Sequence, residues 1–301
     1  MVLLDAFAEH RRDVVLAVAT FDHGTGPAAS AAAALVERTC LGFGIPVVSG
    51  RRDDGRGRAD VGGQRTADGV QRIAYSFPSA RPTEASWRAD RWHFLRAVAA
   101  EHHATIATAH TLDDQAETVA MRILRGASAR GLAAMAAWSK GIVRPFIRVP
   151  RAEVAAYAAT RVVPFQDDPS NANSRHLRNR LRADLMRAVA AVQPEFTAEL
   201  CAIGEKAAAW RRDLTEVADR LEPQQVGHSL VIVQSSLDEI DAAGRAVLWP
   251  ELAGRLGLTM DRRGVARASE WSMTARAGQR IPLSGGAWIE RTARTFVIRC
   301  P

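Results

Sequence analysis

Three carboxylates, Asp113, Asp114 and Glu117, stand close together directly after a short apolar run over residues 104–109. Such a run is typical of a buried parallel strand, and the carboxylates would fall in the first turn of the helix that follows it. There they can hold a magnesium ion that bridges nucleotide phosphates, because hard cations prefer oxygen ligands. Alternatively, acidic residues only cap the helix, which stabilises it by about 0.3 to 1 kcal/mol per residue. Because the whole string ends a buried strand, we favour the chemical interpretation.

A second polar string, residues 21–24 (FDHG), follows another apolar run over residues 14–20. Both runs are predicted strands of a parallel sheet, in which sites form beyond the carboxyl ends of the strands. His23 lies in this string and His110 opens the other one. We therefore expect titratable side chains from two separate segments at the same rim of the sheet.

Arginines recur on one face of a predicted helix. Arg175, Arg178 and Arg182 stand at spacings of three and four, with Asn179 beside them. The preceding string, residues 168–171 (DPSN), is a turn that caps this helix. An arginine stripe at this spacing can bind phosphates in a bidentate manner. A run of charge is also common on a solvent-exposed helix face, so the spacing alone leaves both interpretations open.

The first half of the chain, which must position these residues, alternates strands with helices. This alternation indicates right-handed crossovers and a parallel sheet covered on both faces, so the predicted class is α/β with a Rossmann-like sheet. Residues 50–69 are rich in Gly, Arg and Asp and are predicted to be a mobile insertion. The predicted strands cover residues 14–20, 45–49 and 104–109, and the predicted helices cover residues 1–12, 28–41, 83–102 and 113–124.

The second half begins at Arg151 with a pattern of helix packed on helix. Residues 222–223 (EP) are typical of a linker, and the tail after residue 229 contains an apolar strand and two small helices. Alternation over residues 279–299, broken by residues 284–286 (SGG), predicts a hairpin. The tail is therefore predicted to be a small α+β domain. The predicted helices cover residues 151–160, 175–192 and 195–220.

The composition limits the class of protein. The chain has 301 residues, 47% hydrophobic and 24% charged, which fits one large or two modest soluble domains. No apolar run reaches the roughly 20 residues of a membrane span, and the start lacks the basic stretch of a secretory signal. Three scattered cysteines indicate neither disulfides nor a zinc site, so we expect a cytoplasmic protein. The net charge of +7 favours a polyanionic partner, but an arginine-rich composition also follows from a GC-rich genome.

Short strings from most of the chain form an ordered pattern. They are FDHG over residues 21–24, EA over 84–85 with Arg88 and Arg91, AHTLDDQAET over 109–118, LRG over 124–126, GL over 131–132, RP over 144–145, DPSN over 168–171, RNRLR over 178–182 and GQRIPLSGG over 278–286. In this order and at these spacings they resemble the tRNA(Ile)-lysidine synthetase family. Each string alone is weak evidence, whereas five in order are strong.

The resemblance implies a PP-loop nucleotide-binding domain, similar to adenine nucleotide alpha hydrolases, over residues 1–190. A helical linker over residues 191–221 and a small substrate- or tRNA-binding domain over residues 222–301 would follow. The implied activity is a C–N ligase that uses ATP, Mg²⁺ and free L-lysine to modify the wobble cytidine of an isoleucine tRNA with a CAU anticodon. In that family ATP adenylates the C2 oxygen of the cytidine, and the lysine ε-amine displaces AMP. The oligomeric state stays open, with a homodimer as one option.

The resemblance also assigns roles to residues of this sequence. Those for catalysis are His110, Asp113, Asp114 and Glu117, of which Asp113 and Asp114 would also bind Mg²⁺. Those for ATP binding are Asp22, His23, Gly24, Thr108 and Arg125. Those for tRNA binding are Arg144, Arg175, Arg178, Asn179 and Arg182.

One family motif has no counterpart in the printed residues. The family's ATP cradle is a Ser-Gly-Gly-x-Asp-Ser loop after a first strand, whose backbone amides bind phosphate. Residues 1–4 (MVLL) resemble the helix that follows this loop. We therefore expect either a start assigned too late or a decayed copy, an exposed edge on the strand over residues 14–20, and no lysidine formation by the chain as printed.

Two alternative functions follow from this departure. One is a catalytically inactive tRNA-binding remnant that keeps the arginine helix and the tail. The other is a different PP-loop tRNA-modifying enzyme, such as a thiolase, which the lack of a Cys-x-x-Cys pair disfavours.

Overall fold

The computed structural model describes residues 1–15, 17–53, 64–65, 70–76, 83–166 and 177–300. The chain divides into two compact units. The first consists of Met1–Ala127 and Ala134–Gly204, and the second of Ser128–Ala133 and Glu205–Pro301. The functional division into residues 1–190, 191–221 and 222–301 stays a prediction.

The first unit alternates helices and strands, as predicted for an α/β domain. Its elements, with α5 of the second unit included in chain order, are α1 (Val2–His10), β1 (Val18–Asp22), α2 (Pro27–Phe43), β2 (Val47–Asp53), β3 (Gln64–Arg65), β4 (Val70–Ser76), α3 (Glu84–Glu101), β5 (Ile106–Ala107), α4 (Leu112–Leu124), α5 (Ala129–Leu132), β6 (Trp138–Ser139), β7 (Ile142–Val143), α6 (Arg151–Thr160), α7 (Leu177–Arg180), a π-helical segment (Leu181–Met186) and α8 (Arg187–Val192). The long helix α9 (Phe196–Arg220) begins in this unit.

Two small sheets form the centre of the first unit. In the first sheet β1, β2 and β4 are parallel, with Val18 paired to Val47 and Val47 to Val70, and the short β3 pairs antiparallel to β4. In the second sheet β5 pairs parallel to β7, and β6 completes it. The parallel order and the covering helices confirm the predicted α/β class.

Alternate residues of the parallel strands are buried on opposite faces. Val47 and Val70 pack with Cys40 of α2, whereas Val48 and Ile73 pack with Phe94 of α3. The second face is tight at Gly50, because a Cβ there would lie 2.7 Å from the Phe94 ring. Apolar side chains on both faces therefore hold β2 and β4 between α2 and α3.

The strand β1 is an edge strand in the described part of the chain, as expected. It is hydrogen-bonded to β2, and only its last residue, Asp22, is buried. Residues 50–69 differ from the predicted insertion where they are described, since β2 extends to Asp53 and Gln64–Arg65 forms β3. The rest of that predicted insertion, residues 54–63 and 66–69, lies outside the described residues.

Helix α4 has a polar first turn and an apolar face, and packing of that face fixes the helix in place. Ala116 and Val119 of α4 pack with Leu181 and Leu200. At Gly204 of α9 a Cβ would lie 2.8 Å from both Val119 and Ala134, so only a glycine fits there without a shift. This packing sets the rotation of α4 and therefore the direction of its acidic residues.

The second unit is a small α+β domain, as predicted for the tail. Its five-stranded antiparallel sheet has the order β10-β11-β12-β9-β8, and its core contains Trp249, Phe296 and Ile289. The predicted hairpin is formed by β10 and β11, joined through residues 284–286. Besides α5 and the end of α9, the elements are β8 (Gln224–Val226), β9 (Ser229–Val233), α10 (Ala242–Arg255), α11 (Arg262–Thr274), β10 (Arg280–Pro282), β11 (Trp288–Arg291) and β12 (Thr295–Arg299). Among the described helices of both units, none combines the length and the apolar character of a membrane span.

Candidate active site

The turn between β5 and α4 orients the first group of polar side chains. Thr108 Oγ1 lies 2.8 Å from Nδ1 of His110. Thr111 is the N-cap of α4, and its backbone N–H and its hydroxyl both donate to Oδ2 of Asp114 at 2.9 Å. This capping box satisfies free groups at the helix start, so Asp114 has the capping role that was the alternative interpretation. The same bonds hold its other oxygen, Oδ1, toward the neighbouring arginines.

Glu117 lies one turn further along α4 and is only 2% exposed. Arg182 donates to its two oxygens from Nε at 2.7 Å and Nη2 at 3.0 Å, and Arg178 donates from Nε at 2.8 Å. Arg151 is 3.3 Å from Glu117, and its Nη2 is 3.1 Å from Oδ1 of Asp114. We call these five residues the arginine–carboxylate cluster. It joins the start of α4 to α6, to α7 and to the π-helical segment that carries Arg182.

The two carboxyls of the cluster are ionised at neutral pH. Burial is the largest single effect on each and by itself raises the pKa of Asp114 and of Glu117. The hydrogen bonds from Thr111 and the arginines, together with the charges of the guanidiniums, outweigh it, so the pKa of both lies below the ordinary value. The acidic pair is therefore held as an anion by its partners.

Asp113 is also engaged, although outside the cluster. Its Oδ2 accepts a hydrogen bond of 2.7 Å from the backbone N–H of Arg151, the first residue of α6. The described residues contain no group of three or more His, Cys, Asp or Glu side chains arranged to hold a metal. With N–H or hydroxyl donors on Oδ2 of Asp113 and on both oxygens of Asp114, this arrangement does not fit a magnesium ion.

The end of β1 forms the second part of the rim. Asp22 is buried, and its carboxylate accepts hydrogen bonds from the backbone N–H of Gly24 and from Ser30 Oγ, both at 2.8 Å. The turn requires glycine because Gly24 has φ +69° and Gly26 has φ +138°. Asp22 therefore shapes the turn from β1 into α2.

His23 packs in an aromatic corner beyond this turn. Its ring lies 5.0 Å from Phe21 and 6.4 Å from Trp87, between ring centroids. Among the described residues its buried Nδ1 has no hydrogen-bond partner. Burial first and then the positive charge of Arg91 lower the pKa of His23, so the imidazole is neutral at pH 7.

Helix α3 connects the two polar strings. Trp87 contacts His23, and the next residue, Arg88, is close enough to contribute to lowering the pKa of His110, for which burial is the main cause. α3 also contacts both β1 and β5. The N-terminal part of α3 therefore lies beside both strand ends, as expected for side chains at one rim.

Two further residues were predicted to contact tRNA or ATP, Arg144 and Arg125. Arg144 is 8% exposed and donates from Nη1 to the carbonyl of Ala136 at 2.7 Å and to Ser139 Oγ at 3.2 Å. This buried guanidinium holds the loop before β7 and contributes to lowering the pKa of His110, and its assignment to tRNA stays a prediction. Arg125 is exposed at the C-cap of α4, about 18 Å along the helix from the acidic first turn. The roles of Arg144 in tRNA binding and of Arg125 in ATP binding stay predictions.

The other residues that were predicted to bind tRNA belong to the predicted arginine helix. Arg178 and Arg182 belong to the cluster, and Asn179 is half-buried beside Arg178 on α7. Arg175 lies outside the described residues, as does the turn over residues 168–171.

Arg151 is the site residue that the sequence did not reveal. It contacts Glu117, which is 34 residues away in the sequence. Its position directly after Pro150, at the start of a predicted helix, is a signal for a helix N-terminus and carries no information about a carboxylate partner.

Comparisons with known proteins identify the family of this chain. A family model described as a PP-loop domain matches residues 1–189. The tRNA(Ile)-lysidine synthase of Methylobacterium sp. (strain 4-46) is 34% identical over 265 residues, which are 85% of this chain and 68% of the relative. The enzyme of Methylobacterium nodulans is 33% identical over 84% of this chain and 62% of its own length. The enzyme of Rhodopseudomonas palustris is 38% identical over 64% of this chain and 48% of its own length.

The chain spans about half the length of several of the curated relatives it matches. A solved structure of the U34-tRNA thiolase NcsA from Methanococcus maripaludis matches 69% of this chain and 78% of its own, with 16% identity and a TM-score of 0.40, which is too low for any conclusion. The family match over residues 1–189 and the relative at 34% identity are sufficient to assign the family. The chain belongs to the tRNA(Ile)-lysidine synthase family of PP-loop domain proteins.

Proposed function

We propose that this chain acts in the ATP-dependent ligation of lysine to C2 of the wobble cytidine of an isoleucine tRNA with a CAU anticodon. The observation that carries the proposal is the arginine–carboxylate cluster at the end of β5, on the same rim as Asp22 and His23. Family membership supports the same reaction. ATP supplies the adenylyl group that turns the C2 oxygen of cytidine into a leaving group.

The cluster carries both positive and negative charge, which can complement the phosphates and the lysine ammonium group respectively. The side chains of Arg151, Arg178 and Arg182 keep between 29% and 39% of their surface exposed, so phosphates can reach them from solvent. The side chain of Asp114 is 18% exposed, so its carboxylate can attract the ammonium group of lysine, whereas Glu117 is buried and holds the arginines. We assign phosphate binding to the arginines and lysine positioning to Asp114.

The lysine ε-amine attacks only in its neutral form, so it must lose a proton. His110 stands next to the carboxylates, and burial keeps its pKa below the ordinary value. A neutral imidazole at pH 7 has one ring nitrogen that can accept a proton. We therefore assign the role of general base to His110. No step is routed through Mg²⁺, because Asp113 and Asp114 are bonded to N–H and hydroxyl donors.

The test uses this chain joined, ahead of Met1, to the strand and Ser-Gly-Gly-x-Asp-Ser loop of a lysidine synthase relative. We expect radiolabelled lysine to enter a tRNA transcript with C34 in the presence of ATP, and not to enter a transcript with U34. Asp114→Asn should abolish this incorporation and leave tRNA binding within a few-fold. Tight tRNA binding without lysine incorporation would overturn the ligase and favour the inactive tRNA-binding alternative.

A further inference from the structure

Thr108 lies at the end of the second sheet of the first unit. It directly follows β5, and its backbone N–H donates to the carbonyl of Val143 in β7 at 3.0 Å. His110 lies two residues further on, immediately before Thr111, the N-cap of α4. The side chains of Thr108 and His110 are both half-buried. The sheet on one side and the helix on the other therefore hold the hydroxyl and the imidazole close together.

One hydrogen bond joins these two side chains, because Oγ1 of Thr108 lies 2.8 Å from Nδ1 of His110. A hydroxyl can both donate and accept, whereas each nitrogen of a neutral imidazole does only one of the two. The bond therefore has two possible forms. In the first form the hydroxyl donates to a bare Nδ1 and the ring proton is on Nε2. In the second form Nδ1–H donates to Oγ1 and Nε2 carries the lone pair.

The charges around the His110 ring favour the second form. Burial is the main cause of its lowered pKa; the carboxylate of Asp114 opposes this effect, and the guanidiniums of Arg144, Arg178 and Arg88 add to it. Since Nδ1 is engaged, Nε2 is the ring nitrogen that remains for a substrate. An environment with more cations than anions stabilises a lone pair at this position and disfavours an N–H there.

We propose that Thr108 is the positioning residue of His110: its Oγ1 accepts a hydrogen bond from Nδ1–H and so keeps Nε2 free of a proton. The tautomer is a property of the chain alone, whereas its use in catalysis rests on the function proposed above.

In that reaction the ammonium group of lysine passes a proton to Nε2, which leaves a neutral amine and an imidazolium. Both nitrogens of the imidazolium are donors, so the bond from Nδ1–H to Oγ1 of Thr108 persists through the transfer. In the opposite tautomer Nε2 already carries a proton and cannot take the one from lysine. The hydroxyl of Thr108 therefore decides whether His110 can act as the base.

Nitrogen NMR of the full chain with isotope-labelled histidine measures the tautomer directly. At about pH 8, where an ordinary histidine is neutral, we expect His110 to have a protonated Nδ1 and a bare Nε2. Loss of the signal in His110→Gln assigns it. A ring protonated on Nε2 in the unmodified chain would overturn the proposal, whatever the variants below show.

Three variants test whether the hydroxyl of Thr108 sets this tautomer. Thr108→Val removes the acceptor at nearly unchanged volume and should move the tautomer ratio toward Nε2–H by about tenfold, the equivalent of one hydrogen bond. Thr108→Ser keeps the hydroxyl and should keep the tautomer. Thr39→Val, which removes another half-buried hydroxyl that donates to a backbone carbonyl within α2, is the matched control and should leave the His110 signal unchanged. An unchanged ratio in Thr108→Val would overturn the proposal.

Turnover separates positioning from ATP binding, the role that the resemblance implies for Thr108. In the joined chain described above, Thr108→Val should lower kcat for lysine incorporation about tenfold and leave KM for ATP unchanged, and Thr108→Ser should restore kcat. A raised KM for ATP as the only effect would overturn positioning in favour of ATP binding. If the unmodified joined chain incorporates no lysine, the ligase assignment fails, whereas a bare Nε2 that depends on the Thr108 hydroxyl would still uphold the positioning role.

Discussion

At the scale of single residues, the arginine–carboxylate cluster is the feature on which the site depends. A carboxylate as buried as Glu117 is unfavourable unless donors surround it, and here three guanidiniums do so. Breaking a buried ion pair from one side costs more than the pair contributes, because the remaining charges lose their partner. The geometry of the cluster therefore depends on the charge of Glu117 more than on its volume.

Replacing Glu117 with Gln tests this dependence. The variant keeps the shape but removes the negative charge that Arg178 and Arg182 share and puts an NH2 donor in place of one acceptor oxygen, so we expect a loss of about 3 kcal/mol of unfolding free energy. The value is at the low end of the range for buried pairs because the arginines are partly solvated. Urea unfolding measures it, and Glu153→Gln, at an exposed position of α6, is the control. Equal stability of the two variants would contradict the prediction.

At the scale of elements, much of the fold could be predicted because its signals are local. The helix over residues 151–160 was predicted with the bounds observed for α6, and α4 begins one residue before its predicted start. The strand β4 was missed because Val70–Ser76 interleaves polar residues with apolar ones and follows a glycine-rich segment. For the same reason β2 extends past its apolar part into Arg51–Asp53.

The site shows the same division between local and distant information. The acidic string and the arginine stripe could each be recognised from the sequence, because the residues of each group were predicted to lie on a single helix. Their pairing was not predicted, because Glu117 and Arg182 are 65 residues apart and their contact depends on how α4 and the π-helical segment pack. The spacing showed which side chains share a face, and the tertiary packing determined that this face meets carboxylates.

The arginine helix gives the prediction at this scale. Arg182→Ala removes a partly exposed guanidinium from the cluster, so binding of tRNA should weaken and the slope of log K against log salt should fall by about one. Arg180→Ala, an exposed arginine two residues away, is the matched control and should change the slope less. Filter binding at several salt concentrations measures both. An unchanged slope for Arg182→Ala would assign the stripe to the solvent-exposed interpretation.

At the scale of the whole molecule, buried titratable groups limit the pH range of stability. The pKa of His23 and of His110 is lowered, mainly by burial, so below about pH 6.5 the unfolded chain takes up protons that the folded chain refuses. The pKa of Cys40 is raised to about 11, again mainly by burial, so above about pH 9 the unfolded chain loses a proton that the folded chain keeps. Both effects favour unfolding outside this interval.

We therefore expect the unfolding free energy to be greatest between about pH 6.5 and pH 9. It should fall first as the histidines protonate in the unfolded chain, and again below pH 4.5, because the lowered pKa of Asp114 and of Glu117 gives stability that is lost on protonation. Urea unfolding from pH 3 to pH 10 measures the curve, and His110→Gln should flatten its slope just below pH 6.5. His228→Gln, at an exposed position of the second unit, is the control and should leave that slope unchanged. Constant stability from pH 7 to pH 5 in the unmodified chain would show that His23 and His110 titrate as they do in the unfolded chain, and would contradict this prediction.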